Sequence, residues 1–314
     1  MVATEQVCVH PEHFPTLSAA RRAVRHGRVL LNGLRSTCAA LCAPGDRISL
    51  LRAAAADSAA AADPAALLEL LYEDAWCGVV VKPQGLPVHG WGSKSLVGRL
   101  STQLQWQQQQ QEQLGTGQQQ QQPQPLQQRS TSSAAQQHDA PLEKPAFPHR
   151  LDTRTGGVLA FATTAAAAAA LNEAFRARRV SKRYAAIVVG VPDCTEVLLP
   201  LDGKSCSTTV EVMATIASVK YGRLSLVHLW PRTGRKHQLR RHMSLTGTPI
   251  IGDAKYELEG GVKLAGPDLM LFAAELRFDH PVVEGVQVCV EADRPENMMQ
   301  FWEQQQRYWA QRNS

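Results

Sequence analysis

The sequence lacks the cysteine patterns, long apolar runs and leader features that mark several large classes of protein. Its seven cysteines are scattered along the chain without a CxxC pair, so neither a zinc ribbon nor a disulfide scaffold is supported. Its longest apolar stretches are alanine tracts and short runs, well below the roughly 20 residues of a membrane-spanning helix. The first residues show no basic flank followed by an apolar segment, as a secretory signal would. We therefore expect an intracellular, soluble protein without a membrane partner, in a compartment that the sequence does not resolve.

Acidic residues are in the minority, because 33 Lys and Arg against 28 Asp and Glu give a formal net charge of +5. The basic residues are concentrated in three clusters, at residues 21–28, 176–183 and 232–242. Each cluster alone is as typical of a solvated helix face as of a binding surface. Three clusters in one chain favour a polyanionic partner, most simply nucleic acid.

Residues 14–52 have the pattern of a compact unit. An amphipathic helix with a basic face ends at Gly27, and the strand RVLLNG carries an Asn32-Gly33 turn signal. The segment PGDRISLL then predicts another turn and strand. An alanine-rich joint without chemically informative residues follows this unit.

The rest of the chain has globular texture with one interruption. WCGVVVKPQGLPVH predicts a buried strand and a Pro/Gly turn, residues 158–162 predict a second buried strand, and the tail from residue 296 predicts a closing helix. Glutamine dominates the segment at about 101–141, which has too few apolar side chains to offset the entropy of ordering it. The predicted domains are a module at 1–55, a linker at 56–72, and a second domain at 73–314 with a disordered insertion at about 101–141.

The segment HRLDTRTGG, residues 149–157, resembles the HRLDxxTSG signature of the RluA class of RNA pseudouridine synthases. Further blocks match this class in the same order: VVKPQGLPVHG at 80–90, SKRYAAIVVG at 181–190, PRTGRKHQLRRHMSLTGTPIIGDAKY at 231–256 and LMLFAAELRFDHP at 269–281. The unit at 14–52 looks like the alpha-L RNA-binding motif that often precedes this catalytic domain. The resemblance implies RNA pseudouridine synthesis on an α+β fold, with a mixed, mostly antiparallel sheet flanked by helices behind a small RNA-binding module.

The chemistry of the RluA class gives three residues a catalytic role by resemblance. Asp152 is the carboxylate that acts as nucleophile or base beside C1′ of a flipped uridine. Arg235 is expected to keep that carboxylate ionised, the alternative being a phosphate or structural contact. Tyr184 matches the tyrosine that stacks under the target base, the alternative being a core aromatic.

Other residues are candidate substrate contacts. Arg150 is expected to contact RNA or pair within its loop, and Leu239 to line the uracil pocket or pack as ordinary core. The remaining candidates for contacts to the RNA backbone are Lys82, Arg240, Arg21, Arg22 and Arg25. His149, His237 and His242 invite a metal site, but the chemistry requires no metal, and we expect neither a metal nor a cofactor.

Two departures and two rival functions remain open. Gly156 stands where the signature has Ser, and Phe272 where the family has His, but neither position carries an expected chemical group. One rival is a catalytically inactive RNA-binding or ribosome-associated protein on the same fold. The other is a metal-dependent nuclease, which should show a cluster of acidic ligands that the motif blocks do not supply. The expected partner is structured rRNA or tRNA and the expected state a monomer, with the modified uridine and the covalent mechanism unresolved.

Overall fold

The computed structural model describes residues 29–31, 34–35, 48–50, 67–115, 141–257 and 268–313. The strands are β1 (Val29–Leu31), β2 (Leu34–Arg35), β3 (Ile48–Leu50), β4 (Leu70–Glu73), β5 (Cys77–Lys82), β6 (Pro141–Ala146), β7 (Gly156–Thr164), β8 (Ser181–Val189), β9 (Glu196–Val197), β10 (Thr208–Ser218), β11 (Gly222–Pro231), β12 (Leu271–Asp279) and β13 (Gln287–Glu291). The helices are α1 (Leu96–Gly115), α2 (Ala165–Arg176), α3 (Gln238–Leu245) and α4 (Glu296–Asn313).

The chain folds into two compact units. The Asp152 unit comprises Ala62–Ser181 and Glu275–Ala292, and the Arg235 unit comprises Met1–Ala61, Lys182–Ala274 and Asp293–Ser314. No helix in the part of the chain that the structure describes is long and apolar enough to cross a membrane.

The N-terminal strands form an antiparallel sheet in the order β2-β1-β3. Leu31 of β1 pairs with Leu34 of β2, which leaves Asn32 and Gly33 as the connection between the two strands. The predicted strands of this module are therefore confirmed. The preceding basic helix, with its three arginines, lies outside the described residues.

The sheet of the Asp152 unit is built on two buried strands. β5 pairs with β4 and β7, β6 also pairs with β7, and β13 pairs with the second half of β12, all antiparallel. β5 and β7 are almost completely buried because both carry apolar residues on both faces, with Phe161 and Leu159 fully enclosed. Both strand predictions are confirmed. α2 follows β7 directly, and Thr164 caps it by accepting a hydrogen bond from the Ala167 amide at 3.3 Å.

The prediction of disorder is wrong for the first part of the insertion, residues 101–115, because α1 continues to Gly115. The side chains of Leu96 and Leu100 near the start of this helix are fully buried, and Gln103 is 7% exposed. The Gln103 amide accepts from Leu68 N at 2.7 Å and donates to Leu68 O at 3.0 Å, so glutamine here is part of the packed structure. Residues 116–140 lie outside the described residues. The predicted linker is also too long at its C-terminal end, since β4 already begins at Leu70.

The Arg235 unit contains the two longest described strands, β10 and β11. Its strands run in the order β8-β11-β10-β9, with antiparallel pairing throughout this series. α4 packs on β10, where Ser218 Oγ donates to Gln305 Oε1 at 2.7 Å and Tyr221 lies against Phe301. This helix confirms the predicted closing helix. The α+β class with a mixed, mostly antiparallel sheet and flanking helices is confirmed.

Candidate active site

Asp152 lies in a tight loop that connects β6 to β7 in the Asp152 unit. Thr155 N donates to Asp152 O at 3.0 Å and closes the turn. The flanking Leu151 and Thr155 are 5% and 2% exposed, whereas Asp152 itself is half-buried. The loop therefore presents a carboxylate from a backbone that is anchored on both sides.

Lys82, at the end of β5, holds the turn at 83–86 and the Asp152 loop together. Its ammonium donates to the carbonyl oxygens of Pro83 at 2.9 Å, Leu86 at 2.8 Å and Thr153 at 3.1 Å. Three acceptors match the three N–H bonds of a protonated lysine. One side chain thus fixes the backbone next to Asp152.

Two further hydrogen bonds support the same junction. Gly85 N donates to Thr153 O at 2.8 Å, and Gln84 Nε2 donates to Arg154 O at 3.2 Å. The Pro/Gly turn that follows β5 is therefore a structural partner of the Asp152 loop.

Lys82 is fully buried. Burial lowers the pKa of Lys82 to about 7, and the Asp152 carboxylate acts in the opposite direction by favouring the ammonium. This position argues against the predicted contact between Lys82 and the RNA backbone. It favours a role in shaping the Asp152 loop and in placing a positive charge near its carboxylate.

His149 and Arg150 occupy the start of the same loop. His149 Nε2 accepts a hydrogen bond from Ala160 N at 3.1 Å, and its ring stacks on Phe175 with centroids 4.3 Å apart. Because Nε2 is an acceptor, the proton of the neutral imidazole is on Nδ1, which assigns His149 a structural role. Arg150 is exposed beside Asp152, and its contact with RNA stays a prediction.

In the Arg235 unit, Tyr184 lies in β8 opposite Leu229 of β11. Its side chain is half-buried. The neighbouring Arg183 places Nη1 3.1 Å from His228 Nε2. A half-buried ring on a paired strand is a rigid surface, as stacking on a base requires.

Gln238 organises the loop that carries Arg235. Its side-chain oxygen accepts from Thr233 Oγ1 at 2.7 Å and from Arg235 N at 3.0 Å. Its side-chain nitrogen donates to Ser207 O at 2.9 Å and to Thr208 Oγ1 at 3.1 Å. The sequence did not predict this role, although Gln238 stands in the block at 231–256 that matches the RluA class.

The Arg235 guanidinium has spare hydrogen-bonding capacity. Nη2 makes a long contact of 3.4 Å to Ser205 O, and the buried Nε has no hydrogen-bond partner among the described residues. A buried, unpartnered N–H is costly, so a guanidinium in this state is suited to an incoming anion. This observation fits the predicted role of Arg235.

α3 places the next two predicted residues. Leu239 is 6% exposed, which fits both an apolar pocket wall and ordinary core. Arg240 donates from Nε and Nη2 to the two carboxylate oxygens of Asp253, each at 2.7 Å, and both residues are buried. This paired and buried guanidinium argues against the predicted backbone contact of Arg240 and favours a structural role.

The three histidines of the metal hypothesis have other partners. His237, at the start of α3 with φ 54°, has Nδ1 2.8 Å from the Tyr256 hydroxyl. His242 Nε2 lies 3.0 Å from Leu199 O, so it is the donor, and Nδ1 accepts from the Thr208 hydroxyl at 2.9 Å. Burial lowers the pKa of His242, although its hydrogen bond to Leu199 opposes this, so the ring is neutral at physiological pH.

Within the described ranges, one group of metal-ligand residue types lies close together, at Asp74, Cys77 and His280. Asp74 Oδ1 accepts from the amides of Trp76 and Cys77, both at 2.8 Å. His280 Nδ1 accepts from the Val283 amide at 2.7 Å, so Nε2–H donates to Asp74 Oδ2 at 2.7 Å. These carboxylate and imidazole atoms already have hydrogen-bond partners within the protein, and the cluster stabilises the β4–β5 turn.

Comparison with known proteins decides the family. Residues 78–245 match the family model described as RNA pseudouridylate synthase, which is more than half of the 314-residue chain. The chain belongs to this family. The match includes the Asp152 loop, Tyr184 and the Arg235 loop.

Individual pseudouridine synthases agree with this assignment. The tRNA pseudouridine synthase C of Haemophilus ducreyi is 37% identical over 184 residues, which cover 50% of this chain and 76% of that protein. The dual-specificity RNA pseudouridine synthase RluA of Escherichia coli is 32% identical over 231 residues, or 68% of this chain and 88% of that protein. Among solved structures, human RNA pseudouridylate synthase domain containing 4 is similar with a TM-score of 0.53 and 25% identity over 74% of this chain and 91% of that chain.

The predicted RluA-class membership and the predicted enzyme class are confirmed by these similarities. The chain is an RNA pseudouridine synthase, an isomerase that acts on RNA. The alpha-L identity of residues 14–52 stays a prediction.

Proposed function

We propose that Asp152 is the catalytic carboxylate of this RNA pseudouridine synthase, with Tyr184 and Arg235 acting in the same reaction. The observation that carries the proposal is that the family match spans all three residues, each in the motif that the RluA class uses. The anchoring of the Asp152 loop by Lys82 supports it, because a reacting group must be held within a narrow range of positions.

The reaction is an isomerisation in which atoms and electrons balance without a cofactor. The bond between N1 of uracil and C1′ breaks, a bond between C5 and C1′ forms, and the proton lost from C5 is replaced by one on N1. An ionised carboxylate can serve either as the nucleophile at C1′ or as the base in this sequence. Asp152 fits this task because its loop presents it half-buried beside a cation.

Tyr184 and Arg235 have distinct proposed roles. The Tyr184 ring offers a rigid face for stacking on an unpaired base. The Arg235 guanidinium, with its unpartnered Nε, contributes positive charge that favours an ionised group in the reaction. Both roles predict a loss of turnover when the side chain is removed.

The substrate is proposed to be structured rRNA or tRNA. The names of two relatives support this choice, since one is a tRNA pseudouridine synthase and the other a dual-specificity RNA pseudouridine synthase. We further propose that the protein acts as a monomer, and inside the cell, where such RNA is found. Molar-mass measurement on the purified protein tests the first of these statements.

Pseudouridine mapping of total RNA from cells with and without the gene tests activity and identifies the uridine together. Complementation with Asp152→Asn should restore no modification. In vitro, this variant should lose at least roughly a thousandfold in turnover because the amide keeps the shape but loses the charge. Its RNA affinity should stay within a few-fold of the wild-type value.

Asp193→Asn is the matched control, because Asp193 is exposed between β8 and β9. It should complement fully. Retained turnover in Asp152→Asn would refute the assignment of Asp152, and an unchanged modification map in cells lacking the gene would favour the inactive RNA-binding alternative.

A further inference from the structure

Trp91 is the most exposed large apolar residue of the described chain. Its side chain is 92% exposed, and it makes no hydrogen bond, ion pair or ring contact with the described residues. Tryptophan is usually well buried, so an isolated indole in water points to a function outside the folded core.

The backbone under Trp91 is tied down by hydrogen bonds. Lys94 N donates to Trp91 O at 3.2 Å, and Ser95 N donates to Gly92 O at 3.2 Å. The Ser95 hydroxyl lies 3.3 Å from Gly90 O, and it accepts from Gly98 N at 3.2 Å. The exposed indole is therefore carried by an ordered turn at the start of α1.

The close packing of this turn on α1 depends on two glycines. Gly92 has φ +50°, and a Cβ on Gly98 would lie 1.9 Å from Gly92 O. Any side chain at Gly98 would push the turn away from the helix. Arg99 Nε adds a hydrogen bond of 2.7 Å to Ser93 O from the helix side.

The chain segment around Trp91 carries no acidic side chain, because none occurs between Asp74 and Glu112 in the sequence. Lys94, three residues after Trp91, is exposed on the same turn. An aromatic face beside positive charge is the combination with which proteins hold single-stranded nucleic acid, by stacking on a base and attracting its phosphate.

We propose that Trp91 is a stacking platform for an unpaired base of the RNA substrate, with Lys94 beside it as the phosphate contact. The proposal rests on the proposed function, since it takes RNA as the substrate. It assigns a contact outside the residues that we propose for the reaction, carried by the turn that links the Lys82 junction to α1.

Binding of two RNA probes tests the proposal: a single-stranded 12-mer of uridine and a fully paired 12-base-pair duplex. Trp91→Ala should weaken the 12-mer by about five- to a hundredfold, as loss of one base–aromatic stack does, and the duplex by less than about twofold. Trp91→Phe should keep the 12-mer within about threefold, because phenylalanine retains a stacking face.

Trp106→Ala is the matched control. Trp106 is 52% exposed on the same α1, but no Lys or Arg occurs between Arg99 and Arg129. This variant should bind both probes normally. The melting temperature of Trp91→Ala should also be unchanged, because the exposed indole packs against nothing described.

Unchanged affinity of Trp91→Ala for the 12-mer would overturn the proposal, and so would an equal loss for the duplex or for Trp106→Ala. A clear fall in melting temperature would overturn it too, by showing that the indole is packed. Because binding is measured without turnover, failure here leaves the assignment of Asp152 untouched. Conversely, turnover by Asp152→Asn would refute that assignment without changing this binding result.

Discussion

Lys82→Met tests whether the buried lysine positions the Asp152 loop or contacts RNA. The substitution removes the ammonium donor from the carbonyl oxygens of Pro83 and Leu86, while Thr153 O keeps the amide of Gly85 as a donor. A buried carbonyl without a donor costs about 1–3 kcal/mol, which applies to Leu86 O, and the part-buried Pro83 O adds a smaller cost.

Part of that cost is offset, because the variant no longer buries an ammonium, the effect that lowers the pKa of Lys82 to about 7. We expect a net loss of about 1–3 kcal/mol. For a chain of 314 residues, that corresponds to a decrease in melting temperature of roughly 2–5 °C. Calorimetry or thermal circular dichroism measures it directly.

The catalytic effect should exceed the effect on binding. Without the Lys82 contact to Thr153 O, the residue next to Asp152 loses one of its two anchors, and a displacement of about 1 Å can cost on the order of 100-fold in rate. We expect kcat to fall by about 10- to 100-fold. The Kd for RNA should change by less than about threefold, because Lys82 is fully buried and cannot reach a phosphate.

Gln103→Met is the matched control within the same unit. It also removes a buried polar side chain and leaves two backbone groups of Leu68 without their partner, so its stability loss should be similar. Gln103 has no contact with the Asp152 loop in the described hydrogen bonds, and kcat should stay near normal. Equal losses of kcat in both variants, or a Kd increase above tenfold with normal kcat in Lys82→Met, would refute the positioning role.

Two further predictions concern basic residues with different surroundings. Reversing the charges of Arg21, Arg22 and Arg25 should weaken RNA binding across many sequences and reduce its salt dependence, with kcat at saturating RNA unchanged. Binding titrations over a range of salt concentrations measure this effect. An unchanged slope of affinity against salt would mean that the module does not contact phosphate. Arg240→Met should destabilise the protein by about 3–5 kcal/mol in denaturant unfolding, because it leaves the buried Asp253 carboxylate without its ion-pair partner. A loss of RNA affinity at unchanged stability would instead support the predicted phosphate contact of Arg240.

The sequence predicts the elements whose signals are local. Alternating or continuous apolar runs marked β5, β7 and the closing helix, and a two-residue turn signal marked the β1–β2 connection. The start of the glutamine-rich segment was misjudged because composition alone cannot show that Gln103 would be buried against Leu68. Glutamine is a good helix former, and α1 continues past Gln103 to Gly115.

The burial of charged side chains was the second feature that could not be predicted from the sequence. Lys82 and Arg240 were expected at the RNA surface because Lys and Arg are almost always exposed. One of the three acceptors of Lys82, Thr153 O, lies 71 residues away along the chain, and Asp253, the partner of Arg240, lies 13 residues away. The same holds for Gln238, whose four hydrogen bonds become visible only when β10 and the Arg235 loop are placed together.

The Gln238 network also changes how variation in this protein should be interpreted. Thr208 is fully buried in β10, yet its hydroxyl is shared between Gln238 Nε2 and His242 Nδ1. Through Gln238 it is one hydrogen bond removed from the Arg235 amide. A substitution at Thr208 should therefore also disturb the Arg235 loop. Because these residues share one hydrogen-bond network, we expect positions 208, 233 and 238 to covary in natural or selected variants.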